Sequence, residues 1–222
     1  MLAKGWSNLM PVILINPNST EAMTESALEA ARLSAPDLEF EGWTSTAGPV
    51  VIEGAKDGAL AIPPLLELVR KASEKDPTAI IIACFDDTGL AQAQEVAKCP
   101  VIGIGQASFI FAALMSGQTA IITTVAEAVP VISANILDQG HAKHISLVEA
   151  AHVPVLTLSN DPSLALEKFV HAANQLPDDT RNIILGCSGV VSIRDDFAKR
   201  VAPNVIDGVT AAARLCRAFE TL

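Results

Sequence analysis

Two stretches of this chain follow one plan. Residues 79–90 read AIIIACFDDTGL and residues 182–191 read NIILGCSGVV. Each is an apolar, mostly β-branched run closed by a cysteine with glycine close by. Cys84 and Cys187 stand 103 positions apart, and Pro100 and Pro203 keep the same spacing. Each proline opens a short apolar run, a glycine and an alanine-rich stretch, CPVIGIGQASFIFAA in one case and APNVIDGVTAAARL in the other. The segments VILINPNST and AIITTVAEAV correspond more loosely, starting at Val12 and Ala120. Three features in the same order at nearly one offset predict two similar halves. Such a pattern leaves few folds open.

Apolar runs without polar alternation are strands buried on both faces, as in parallel sheets. The candidates are Val12–Ile15, Ile80–Cys84, Val101–Ile104, Thr119–Thr123, Ile145–Val148, Ile183–Leu185 and Val205–Ile206. Helix-period runs separate them at Glu21–Leu33, Ala59–Ala72, Gly89–Ala97, Ala126–Gln139, Ser163–Asn174 and Val209–Ala218. The expected fold is therefore α/β. It has two pseudo-symmetric lobes, each a mostly parallel sheet flanked by helices, with the active site in the cleft between them. We assign 11–105 plus 205–222 to the first lobe and 106–204 to the second, because VIDGVTAA mirrors the crossover VIGIGQAS.

The 222 residues are half hydrophobic, with 18% charged, which suits a packed globule. A net charge of −10 argues against nucleic acid or an anionic membrane as partner. No apolar run reaches the roughly 18–20 residues that span a bilayer. The first ten residues read as a loose leader and not as a signal peptide, and the chain as cytoplasmic. The expected partners are a small molecule and further copies of the chain in a homo-oligomer. None of the four cysteines forms a CxxC pair, and His141 and His144 have no companion ligands, so no metal is expected. No lysine occupies a strand-end motif where pyridoxal phosphate would need one, so no cofactor is expected either.

In open α/β sheets ligands bind beyond the carboxyl ends of the strands. Cys84 and Cys187 are both placed there, on opposite walls of the cleft if the halves face each other. A following helix N-terminus is expected to favour each thiolate. A single buried cysteine is more often packing than chemistry; two at matching places in a repeat favour chemistry. Cys99 and Cys216 lack that context and read as packing residues. Two opposed thiols suit two-base racemisation, one removing a proton from carbon and the other delivering one to the opposite face. Glycines 89, 186 and 189 allow close backbone approach.

Asn16 and Asn18 in INPNST offer amides just past a strand, and Ser19 or Thr20 is placed to cap the next helix. Thr123 and Thr124 are the counterparts in the second half, as substrate contacts or as caps. Asp86 and Asp87 either tune Cys84 or cap the next helix, and capping suits Asp87 better. GPVVIEG, residues 48–54, reads as a loop over the cleft, with Glu53 in a structural role.

The ordered set ILINPNST, GPVVIEG, ACFDDTGL, VIGIGQA, IITTVAEAVP, ILGCSGV and VIDGVTAA resembles the successive motifs of the hydantoin and allantoin racemases, of the aspartate/glutamate racemase superfamily. The resemblance runs from about Val12 to the C-terminus. It implies a two-lobed α/β fold, a 5-substituted hydantoin as substrate and a cofactor-independent mechanism with Cys84 and Cys187 as acid and base. It implies ring contacts at Asn16, Pro49, Val50, Ile52, Phe85, Thr123, Thr124, Ser188 and Gly189. The chain departs from the family pattern at Thr88, where proline is usual, and at Lys56, Gly58, Ser188 and Val190, which bears on side-chain preference more than on the chemistry. An amino-acid racemase or a cis–trans isomerase of a small diacid on the same scaffold stays open, as does a non-catalytic binding protein. The lack of a ring of arginines at strand ends favours an uncharged hydantoin over a charged amino acid.

Overall fold

The computed structural model describes residues 10–219. Residues 1–9, most of the expected leader, lie outside the described residues. The first sheet contains β1 (Val12–Asn16), β2 (Phe40–Thr44), β3 (Ala79–Ile82) and β4 (Val101–Gly103). Its strand order is β2-β1-β3-β4, all parallel. The second contains β5 (Gln118–Thr123), β6 (Ile145–Ala150), β7 (Thr180–Gly186) and β8 (Asn204–Asp207), in the order β6-β5-β7-β8, again all parallel. The two orders are the same, so the repeat in the sequence is a repeat of topology.

The helices of the first half are α1 (Glu21–Ser34), α2 (Ala55–Ser73), α3 (Leu90–Val96) and α4 (Ile104–Leu114). Those of the second are α5 (Val129–Asp138), α6 (Thr157–Asn160), α7 (Pro162–Ala173), α8 (Arg194–Ala198) and α9 (Gly208–Leu215). Single 3-10 turns at Ala126–Ala128, Ser188–Ser192 and Cys216–Phe219 complete the described chain. No described helix is long and apolar enough to cross a membrane.

Strand periodicity sorts the core into layers, because alternate residues face opposite sides of a sheet. Ile13 and Ile15 of β1 and Ile80 and Ile82 of β3 pack outward on Leu65 and Val69 of α2. In the second sheet Ile183 and Leu185 pack outward with Phe169 of α7 and Phe197 of α8. The other faces meet in one shared core, which joins Val12, Leu14 and Ile81 of the first sheet to Ile121, Ile184 and Ile206 of the second. Helices α4 and α9 run through that shared layer. Helix α4 leaves the first sheet and packs on α9, β7 and β8; α9 leaves the second and packs on α4 and α1. The expected boundary at 204/205 falls inside β8, which pairs with β7, while the helix after it returns to α1.

Sequence reading omitted β2. FEGWT carries a glutamate and a glycine, sits at the sheet edge and is half-buried beyond Phe40, so it lacks the continuous apolar signal of a central strand.

Candidate active site

The carboxyl ends of β1, β3, β5 and β7 converge on a small cavity. Its walls include Cys84, Phe85 and Asp86 from beyond β3, Thr123 and Thr124 from β5, and Cys187 and Ser188 from beyond β7. Ile52 closes it from the 48–54 loop, with Asn18, Met23 and Val155 at its edges. The structure thus brings both cysteines to one space. That space measures about 20 Å³, room for a single water. A five-membered ring does not fit that space as it stands.

Local chain geometry explains how each thiol is held. The ladder continues one residue past β3, where Ala83 N–H donates to Ile15 O at 2.8 Å, and the chain then turns, with Asp87 N–H donating to Cys84 O at 3.1 Å. Asp87 (φ 47°) and Gly89 (φ 68°) take left-handed conformations within that turn. Helix α3 starts only at Leu90, so Cys84 does not lie at a helix N-terminus, contrary to expectation. Cys187 does precede a 3-10 turn directly, and the backbone N–H groups of Ser188 and Gly189 point at its sulfur.

Neither thiol is favoured as a thiolate, which corrects the expectation from helix dipoles. Each cysteine is partly exposed and lines the cavity. Burial drives the Cys84 thiol far above its ordinary range, and the nearby Asp86 carboxylate adds to the rise. Burial also pushes Cys187 up to about 12, partly offset by the Gly189 and Ser188 amides. Desolvation exceeds the few local dipoles because it acts on the whole charged form. At Cys84 the main opposing group is Thr88, whose hydroxyl lies 3.3 Å from Sγ.

The remaining expected contacts divide into two groups. Ile52, Phe85, Thr123, Thr124 and Ser188 line the cavity together with the thiols. Asn16, Pro49, Val50 and Gly189 stand behind it. The Asn16 amide donates to Asn18 Oδ1 at 2.9 Å and Thr24 Oγ1 at 3.1 Å, and its own oxygen accepts from Asn18 N–H, so it ties the turn after β1 together. Pro49 O accepts from Ser19 N–H at 2.8 Å and Val50 O from the Thr20 hydroxyl at 2.7 Å. Thr20 therefore sits at the start of α1 without capping it through its side chain, and spends its hydroxyl on the loop. Thr123 donates to Gly186 O at 2.9 Å, bracing the strand end that presents Cys187.

Asp87 is a cap, but of a different helix from the expected one. Its carboxylate accepts from Gly105 N–H at 3.0 Å and Gln106 N–H at 2.7 Å, at the start of α4, and from Gln139 Nε2 at 3.1 Å. The approach is so close that a Cβ on Gly103 would lie 2.0 Å from Asp87 Oδ1. Glu53 clasps the halves together: its Oε1 accepts from Val155 N–H at 2.8 Å. Gly54, at φ 105°, lets the same loop pass against Glu127 O, where a Cβ would lie 2.7 Å away. Asp86, expected to tune Cys84 or to cap a helix, lines the cavity, and Val155 does so without having been expected. The acidic pair beside Cys84 carried the signal for the first; no motif marks the second. Among the described residues no three His, Cys, Asp or Glu side chains gather as metal ligands would.

The model of the Asp/Glu/hydantoin racemase family matches residues 12–216. The chain belongs to that family. By family it is a racemase, an isomerase. A hydantoin racemase from Rhizobium meliloti is 41% identical over 214 residues, 95% of this chain and 88% of the relative. An allantoin racemase from Klebsiella pneumoniae superposes with a TM-score of 0.89 at 33% identity, over 96% of this chain and 88% of the other. The fold extends further, to the glutamate racemase of Francisella tularensis, with a TM-score of 0.72 at 17% identity over 95% of this chain and 80% of that one. The racemase fold accounts for both four-stranded sheets and for the cleft where their strand ends meet.

One consequence for this racemase concerns Thr88. A hydrogen bond to a charged partner contributes about 1.5–3 kcal/mol, a factor of about ten or more in an ionisation equilibrium. Thr88→Val is therefore expected to raise the Cys84 thiol further and slow its alkylation about tenfold at fixed pH. Alkylation of Cys84 followed by mass spectrometry from pH 7 to 10 measures this; an unchanged rate would mean that the hydroxyl only packs there.

Proposed function

We propose that this racemase inverts 5-substituted hydantoins, allantoin included, by proton transfer at C5 between Cys84 and Cys187, without a cofactor. The observation that carries the reading is the placement of two thiols, from equivalent strand ends of a topological repeat, on one enclosed cavity. Such a cavity places a base and an acid about one carbon centre, as inversion requires. The C5–H of a hydantoin is flanked by a carbonyl, into which the carbanion delocalises as an enolate.

The charge of the cavity supports an uncharged ring. No Lys, Arg or His is among its lining residues, while Asp86 is. An amino-acid carboxylate brought there would lie beside another carboxyl group and meet no cation. Relatives named for hydantoin and allantoin point the same way. In this reading Asn16, Pro49, Val50 and Gly189 fix the cavity walls, and Ile52, Phe85, Thr123, Thr124 and Ser188 meet the ring. The two lobes in this reading are 11–105 plus 205–222 and 106–204, with β8 completing the second sheet. The working form is a cytoplasmic homo-oligomer acting on a small molecule.

Polarimetry on single-enantiomer hydantoins, allantoin, aspartate and glutamate tests the proposal. Loss of rotation with hydantoins, insensitive to chelators and abolished by thiol alkylation, is the expected result. Turnover of aspartate or glutamate alone, or activity lost to a chelator and restored by metal, would overturn it.

A further inference from the structure

The two thiols do not complete the chemistry of the cavity. Abstracting a proton next to a carbonyl places negative charge on that oxygen, and a buried oxyanion needs a donor aimed at it. The backbone amides of Ser188 and Gly189 are directed at Cys187. Thr88 is directed at Cys84, and the Thr123 hydroxyl at Gly186 O. No cationic side chain lines the space.

Among the described lining residues, Asp86 carries the one fully buried side-chain oxygen that has no hydrogen bond. The residue as a whole is 8% exposed, and the unbonded oxygen is its Oδ2. Its backbone is fixed, since Asp86 O accepts from Asn135 Nδ2 at 2.7 Å. The neighbouring acid, Asp87, accepts from Gly105, Gln106 and Gln139, and burial nonetheless pushes it up to about 7 as well, so only a change at position 86 separates the two. A buried carboxyl group with no donors around it holds its proton more readily than one in water; burial pushes Asp86 up to about 7.

We propose that Asp86 in its protonated form is a catalytic residue, whose carboxylic O–H donates a hydrogen bond to the carbonyl oxygen beside the exchanging carbon and holds the charge that develops there. This rests on the racemase reading above. The step balances within the cavity. The thiolate takes the C–H proton, the C–H electron pair moves into the enolate, the Asp86 O–H stays bonded to its own oxygen while donating, and the opposite thiol returns a proton to carbon. No oxidant or further reactant takes part.

The titratable groups that interact with Asp86 are Cys84, Cys187 and Asp87, and Glu53 acts on Cys187 from the other side. Raising the pH has two opposing effects. It increases the thiolate population tenfold per pH unit, and above about 7 it removes the Asp86 proton tenfold per unit. The product of the two populations levels. The wild-type kcat/KM is therefore expected to climb with pH up to about 7 and to run flat above it.

The experiment compares wild type, Asp86→Asn and Asp86→Leu from pH 5.5 to 9, by circular dichroism of a single-enantiomer hydantoin and by iodoacetamide alkylation of Cys84 and Cys187. Asp86→Asn keeps an N–H donor that does not titrate, so its profile should go on climbing about tenfold per unit above pH 7. Asp86→Leu also lacks the titration but offers no donor, and should lie about 10²–10³-fold below Asp86→Asn at every pH. In wild type the Asp86 charge that forms near pH 7 should interrupt the climb of thiol alkylation with a shoulder, after which the rate rises again, whereas both variants should climb without a break, whether or not hydantoins turn over. Equal rates for Asp86→Asn and Asp86→Leu would overturn the proposal. So would a wild-type profile that steepens below 7 and climbs on above it, which would make the ionised carboxylate an acceptor for a ring N–H. Wild-type protein inert toward hydantoins but with the alkylation break near 7 would overturn the substrate reading and leave the Asp86 ionisation standing.

Discussion

Serine at position 84 or at position 187 is expected to abolish racemisation while leaving a one-sided proton exchange. Inversion needs a group on each face of the carbon, so loss of either thiol stops it. General acid–base groups contribute about 10²–10⁴-fold each, and each variant should fall by at least that much. A serine hydroxyl is intrinsically far less acidic than a thiol, and the same burial acts on both, so it does not replace the thiol as base. The surviving thiol still removes and returns a proton on its own face. In heavy water Cys84→Ser should therefore exchange the C5 hydrogen of one enantiomer faster than that of the other, and Cys187→Ser should show the opposite preference. Proton NMR of each enantiomer reads the exchange directly. Near wild-type racemisation by Cys84→Ser would reduce Cys84 to a packing residue at a strand end.

Asp87→Ala is expected to be the most damaging single change to stability near the cavity. Three N–H donors lose their acceptor at once, two of them at the start of α4. An unsatisfied buried donor costs about 1–3 kcal/mol, and a lost N-cap typically about 1 kcal/mol. Water entering the space left by the carboxyl group offsets part of this, so we expect a net loss of about 2–4 kcal/mol. Asp87→Asn should recover part of it, because its carbonyl still accepts one bond. Urea unfolding gives the answer through the transition midpoint, and a loss below about 1 kcal/mol would show that the three bonds are readily replaced by solvent.

Central strands were legible because burial on both faces fills them with apolar residues: VILI, AIII and IILG declare themselves. The spacing of 103 between Cys84 and Cys187 marked two halves, and the strand orders match. What stayed hidden depends on contacts distant in sequence. Asp87 looked like a cap for the helix next to it, yet its carboxyl reaches α4 across the turn. The state of the thiols followed from how much protein surrounds them and from the charge of Asp86, not from the helices that follow them. Asn16 looked exposed to a ligand in the sequence, but the turn after β1 uses its whole amide.

The crossing of α4 and α9 has a consequence for how the chain folds. Each helix is the covalent continuation of one sheet and lies in the core shared with the other. A half cut free would expose the apolar side of its own sheet together with a helix that has lost its companion. Ile121, Ile184 and Ile206 bury their side chains in the same layer as Val12, Leu14 and Ile81, so that layer forms only when both halves are present. The repeat in the sequence is thus not a pair of independent folding units. Apolar burial in this layer drives both sheets to assemble together, and the chain is expected to melt in one cooperative transition, not as two domains in turn.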